Sequence, residues 1–159
     1  MTLETLRLFA AGATLFGGAL AGANLDRVVV QMPAWRRLDA QSWANYSRNA
    51  DLRNGTFFYP IVAIAGAILT IVTAAGFYLL DSLPATARIP TYAAAILDVA
   101  GLLATVKAAP IMLSLRGKNN NAAFLQQAFN AFDRWTSIRA VAQILGFVAN
   151  VWVLVALQS

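Results

Sequence analysis

From Phe57 to Leu80 the chain runs without one charged residue. A hydrocarbon core about 30 Å thick is crossed by about 20 apolar residues in a helix. Three further stretches meet that requirement: about Leu6 to Leu25, Thr91 to Leu115 and Ile138 to Leu157, the third span carrying Asp98, Lys107 and Pro110 inside it. A backbone crossing lipid must satisfy its own polar groups, which a helix does within one segment. Composition agrees: 59% of residues are hydrophobic and 12% charged, against about 25% charged in a soluble domain. The expected fold is all-α, an integral membrane four-helix bundle forming a single membrane domain over residues 1–159. The first stretch reads as a retained helix, since Glu4 and Arg7 offset each other and no small-residue cleavage site follows.

The basic residues sort by connection. Arg27, Arg36, Arg37, Arg48 and Arg53 lie between the first two spans, and Arg116, Lys118, Arg134 and Arg139 lie between or at the edge of the last two. Lys and Arg concentrate in cytoplasmic loops. The expected topology is multi-pass in an inner or plasma membrane, with both long loops cytoplasmic and both termini outside. The formal charge of +5 is thereby explained without a nucleic-acid partner. The first loop opens at Pro33, a helix-start signal, and closes at Asn54-Gly55, a stop or turn signal. Aromatic and apolar residues recur between them at helical spacing, which predicts an amphipathic helix over 34–53. A second element, Ala122 to Ser137, is expected to run into the last span. Gly18 to Gly22 forms a GxxxG step, and Ala100, Ala104 and Ala108 form a ladder; such positions let helices pack closely in lipid.

The sequence has no Cys and no His. Thiol nucleophiles and disulfide relays are excluded, and metal sites that rest on imidazole or thiolate have no ligands. No cofactor and no metal is expected. Polar groups in the spans therefore carry what chemistry there is. At about 100° per residue, Arg139, Gln143 and Asn150 fall within about 40° on one helix face. An ionisable residue at bilayer depth costs about 3 kcal/mol on insertion scales and faces protein or water. Matching depths gives an inner cluster of Asn24, Arg48, Asp51, Asn54, Tyr59, Lys107, Trp135, Arg139 and Gln143. An outer cluster joins Asp98, Asn150 and Thr73. The bland alternatives are hydrogen bonding across helices, an Asp51–Arg pair, and a Lys107 that snorkels to the interface.

Two strings, "MPAWRRLDAQSWANYSRNADLRNGTFFYP" and "FNAFDRWTSIRAVAQILGFVANVW", resemble the signature regions of a family of small four-helix membrane proteins that includes the fungal anthrone oxygenases. The resemblance spans nearly the whole chain. It implies cofactor-independent oxygenation of a lipophilic aromatic molecule, bound in a polar pocket at the cytoplasmic end of the bundle. With no His to take a proton, Asp51 would be the candidate base. Arg139 and Arg48 would stabilise the anion, and Tyr59 and Trp135 would stack on the ring. Asn24, Asn54 and Gln143 would complete the substrate site. The rival expectation is a non-catalytic accessory or structural subunit, with further copies or a larger membrane complex as partners beside the bilayer. A small multidrug-type transporter would need a carboxylate in mid-membrane, for which Asp98 is the candidate, and the long amphipathic loop does not suit it.

Overall fold

The computed structural model describes residues 2–79, 84–117 and 120–158. The expected end of the second span at Leu80 and the loop cation Lys118 lie outside the described residues. Within them every regular element is a helix. Helix α1 (Leu3–Asp26) starts where the Thr2 hydroxyl accepts a bond from the Thr5 N–H. It does not stop at Leu25. A π-turn, Arg27–Gln31, carries it directly into α2 (Met32–Arg37). Pro33 therefore sits inside a continuous helix instead of opening one. Proline lacks an N–H and its ring crowds the carbonyl four residues back. The widened i→i+5 turn, in which the Met32 N–H reaches the Arg27 carbonyl, lies just where that crowding must be absorbed.

The single helix predicted over 34–53 is thus two pieces. Asp39 makes the break: its extended backbone and its carboxylate, accepting from the Ser42 N–H at 2.5 Å, cap a new helix, α3 (Ala40–Asn49). An Asx side chain that captures a nearby N–H competes with helix continuation. That bond holds the Asp39 carboxyl below its usual range. After a turn at 50–54 come α4 (Gly55–Leu79), α5 (Ala85–Ser114) and α6 (Ala122–Ala156). As the sequence implied, the Ala122 element and the last span are one helix, capped by the Asn121 side chain on the Phe124 N–H.

Four helical stretches, Leu3–Arg37, Gly55–Leu79, Ala85–Gly117 and Ala122–Ala156, are long and apolar enough to cross a membrane. They pack in a ring, α1 against α4 and α6, α5 against α4 and α6, with neighbours antiparallel by connection. Their surface is the reverse of a soluble protein's. Ile61, Ile64, Ile68 and Ile71 of α4, Leu103 and Val106 of α5, and Val141, Val148 and Val155 of α6 are all exposed. Small and hydroxylated side chains lie inside, among them Ala10, Ala13, Ala94, Ala104, Thr70 and Thr91. Without a hydrophobic drive between helices in lipid, small residues at the seams allow the close approach that dispersion requires. The chain is a multi-pass integral membrane protein.

The glycine and alanine motifs contribute unevenly. A Cβ on Gly18 would meet the Phe147 ring at 3.0 Å, whereas one on Gly22 would meet nothing within 4 Å. Ala104 and Ala108 are buried, but Ala100 is exposed. One end of the bundle is closed by α3, whose Trp43 is 1% exposed and packs on Phe129 and Phe132 with ring centroids 5.3 and 5.6 Å away. This is also the end where the arginines gather, and it is called the basic end below.

Candidate functional site

At the basic end two helices, α1 and α6, deliver three polar side chains to one point. Asn24 of α1 and Gln143 of α6 are 4% and 6% exposed. The Asn24 amide donates to Gln143 Oε1 at 2.5 Å and to its own Leu20 carbonyl at 2.8 Å. Its Oδ1 accepts from Arg139 Nε at 3.1 Å. Arg139 stands one helical turn before Gln143, so α6 presents both to the same partner. Gly101 of α5 makes room, since a Cβ there would stand 2.9 Å from Gln143 Cγ.

A second constellation lies beside the first. Arg27, the first residue of the π-turn, is 7% exposed. Its Nη2 donates to Asp51 Oδ1 at 2.5 Å and to the Tyr59 hydroxyl at 3.3 Å. Its guanidinium lies 5.4 Å from the Tyr59 ring centre and 5.9 Å from that of Phe132, distances at which a cation is attracted by the ring face. Asp51 is thereby committed to Arg27. Arg139 has no such partner: among the described residues its one hydrogen bond is the Nε bond to Asn24, and none of the ion pairs includes it. Two guanidiniums and one carboxylate leave this region with an uncompensated positive charge.

Two hollows border these groups. The first, about 320 Å³, is bordered by Asn24, Arg27, Tyr59, Arg139 and Gln143 on one side and by apolar side chains of α4 and α5 on the other. Ile64 and Val106, both on its rim, are 53% and 65% exposed. The gap between α4 and α5 therefore opens sideways, toward the surface that faces lipid. The second, about 330 Å³, shares Arg27, Tyr59 and Arg139 and adds Asp51, Phe132 and Arg116. Arg27 and Arg139 thus line both hollows. Each has the size of a small-molecule site, which is commonly an apolar cleft with a few convergent polar groups.

Of the residues expected from sequence, Asn24, Asp51, Tyr59, Arg139 and Gln143 come together here. Asn54 lies at one side, on a shallow depression with Asp51 and Tyr59, and its carbonyl accepts from the Phe57 and Phe58 N–H groups. Three residues depart from the expected cluster. Arg48 is drawn instead to the end of α5, where its Nε donates to the Leu115 carbonyl at 2.9 Å and its Nη1 to Asn120. An unsatisfied helix C-terminus attracts a cation, and this one removes Arg48 from both hollows. Trp135 packs on the apolar cluster of Met32, Trp43 and Phe129, and Phe132 takes the aromatic position on the hollow. Lys107 is exposed on the outer face of α5.

Arg27 and Arg116 were missed. The signal for Arg27 was present: three residues after Asn24, it shares that residue's helix face. Ending the first span at Leu25 placed it in a loop. Arg116 has no pattern to reveal it, because it reaches the hollow from a short 3₁₀ turn after α5.

The outer cluster is real, with one exchange of members. The Asp98 carboxylate interacts with the side chains of Thr70 and Asn150, and Asn150 Nδ2 donates to Thr70 Oγ1 at 3.4 Å. Thr73, expected there, turns back to the Leu69 carbonyl. Set against family models, curated proteins and solved structures, the chain matches none of them.

Proposed function

We propose that the protein binds a lipophilic, weakly acidic aromatic molecule that reaches the basic-end hollow from the bilayer through the gap between α4 and α5. What carries the reading is Arg139. It is a half-buried cation, hydrogen-bonded through Nε alone among the described residues, and it lines two hollows whose walls are otherwise largely apolar. A permanently charged fork in such a place is costly unless something anionic and planar meets it. Tyr59 and Phe132 offer faces for a ring, and Gln143 Nε2, with no hydrogen bond among the described residues, offers a donor for its oxygens. By the Lys/Arg distribution the basic end is cytoplasmic and both termini are outside.

On the resemblance to anthrone oxygenases, the bound molecule would be a hydroxylated polycyclic aromatic. Its ring CH₂ would lose two hydrogens and gain one atom of O₂, the other atom leaving as water. Deprotonation would prepare the ring to give an electron to O₂, and Arg139 would hold the anion. Asp51 is poorly placed as the base, since Arg27 already claims it. The accessory-subunit reading draws on the Arg27–Asp51 and Asn24–Gln143 pairs, which also join helices. It gives no account of an unpaired guanidinium beside open space.

The test is titration of dithranol, a dihydroxy-anthrone, into protein held in lipid nanodiscs under argon. Binding that is lost in Arg139→Met supports the reading. Equal binding by Arg139→Met, or none by the wild type, contradicts it. Because the chain has no Cys, orientation is checked separately by single-cysteine labelling at Asn120 and Thr86. Asn120 should react only from the cytoplasmic side.

A further inference from the structure

Asp98 lies on the seam shared by α5, α4 and α6. Around it stand Thr70 of α4, Asn150 and Gly146 of α6, and Gly17 of α1. None of these is charged, and none of the ion pairs among the described residues includes Asp98. The fit is close: a Cβ on Gly146 would come within 2.8 Å of Asp98 Oδ1. The helices therefore leave room for this carboxyl and give it hydroxyl and amide neighbours, but no cation.

The position and the basic-end hollow share lining residues, Gln143 among them. A void of about 10 Å³ is lined by Asp98 and Gln143 together, about the size that holds one water. Along α6, Gly146 beside Asp98 and Arg139 in the hollow are separated by about 10 Å of rise, with Gln143 between them. Bonded to Asn24 on one side, Gln143 borders both the void and the hollow.

Among the described residues the bundle thus holds two ionisable groups outside any ion pair, a cation at Arg139 and a carboxyl at Asp98, with Gln143 between them. One proton transfer would settle both. We infer that Asp98 takes the proton given up by a weakly acidic ligand bound at Arg139, through a water held beside Gln143. The ligand's acidic O–H or C–H bond breaks and its electron pair stays on the ligand, whose anion pairs with Arg139. The proton passes to the water while another leaves that water for an Asp98 carboxylate oxygen, forming its O–H bond. Nothing is oxidised or reduced. The negative charge moves from mid-membrane to the guanidinium, and Asp98 becomes neutral where charge costs most. Asp98 acts at one remove from the ligand. The inference rests on the proposed binding function and supplies the base that Asp51, held by Arg27, does not.

The experiment uses the whole protein in nanodiscs, under argon, with dithranol at a pH where the free compound is neutral. Absorbance reports the bound anion, and an indicator dye in weak buffer reports protons released. The wild type is expected to form the bound anion without net proton release, and to gain a protonated-carboxyl band in infrared difference spectra. Asp98→Asn, which keeps a polar side chain of the same size beside Thr70 and Asn150, is expected to bind dithranol as the neutral species, or to release one proton for each anion formed. Asp98→Glu should restore proton retention. An Asp98→Asn protein that forms the anion with no proton release overturns the inference and leaves the binding proposal standing. One proton released per bound anion by the wild type, with no new carboxyl band, overturns it without any variant. Failure of the wild type to bind dithranol removes both.

Discussion

At the basic end, Arg27 lies against Asp51 at 2.5 Å, with Tyr59 and Phe132 packed around the pair. Midway along the bundle, Asp98 has Thr70 and Asn150 for company and, among the described residues, no ion pair. The first arrangement is a closed ion pair of the kind that holds elements together, here the π-turn of the first span and the α3–α4 turn. The second is an open one, with its natural counter-charge, Arg139, displaced along the same helix bundle. Burial alone does not separate structural from functional polar groups in this protein. Compensation does. The closed pair should matter to folding, and the separated charges should matter to a ligand.

Breaking the closed pair is expected to have the largest effect on stability. Arg27→Met leaves Asp51 buried and unpaired, and a half-broken buried ion pair costs about 3–5 kcal/mol. The double variant Arg27→Met, Asp51→Leu should recover much of that loss, measured by unfolding in mixed detergent micelles. If the single variant is as stable as the wild type, the pair is not closed in the sense argued. Arg139→Met should behave in the opposite way. It relieves an uncompensated charge but deprives Asn24 Oδ1 of a donor worth about 1 kcal/mol. Its stability should stay within about 1 kcal/mol of wild type while dithranol binding is lost.

Gly146→Ala sharpens the contrast at the Asp98 site. Its new methyl group would stand 2.8 Å from the carboxylate, and overpacking typically costs about 1–3 kcal/mol. The same Ala substitution at Gly22, which faces open space, should be neutral or slightly stabilising. A pH effect outside the spans should be the smallest. The Asp39 carboxyl is held below its usual value by the Ser42 N–H. Its contribution to holding α3 is therefore present above about pH 4, the ordinary carboxylate value, and is lost as pH falls through the lowered folded value. Asp39→Asn, which also caps well, should remove that pH dependence. Amide exchange along α3 would report it.

How the sequence revealed this molecule follows from the same physics. The spans were legible because a bilayer demands long apolar runs, and Phe57 to Leu80 has no other ready use. The polar stripe of Arg139, Gln143 and Asn150 was legible because lipid penalises it wherever it faces outward. Register along antiparallel spans placed Asn150 near Asp98; it also matched Gln143 with Lys107, which instead lies exposed. Partner choice was not legible. Sequence depth could not tell that Asp51 would choose Arg27, nor that Arg48 would be taken by the Leu115 carbonyl, because helix ends compete for cations as carboxylates do. The π-turn was hidden as well. Pro33 signals a helix start in water-soluble patterns, and nothing local shows that the preceding turn has widened to admit it. Missing that turn moved Arg27 out of the site.

The most direct test of the central claim is the affinity of dithranol for wild type, Arg139→Lys and Arg139→Met in identical nanodiscs. Charge-assisted hydrogen bonds are worth about 1.5–3 kcal/mol, so Arg139→Met should bind about 10- to 150-fold more weakly. Arg139→Lys should fall between the two, since an ammonium replaces the charge and not the planar fork. Indistinguishable affinities across the three proteins would contradict the account, because the unpaired guanidinium would then have no part in binding.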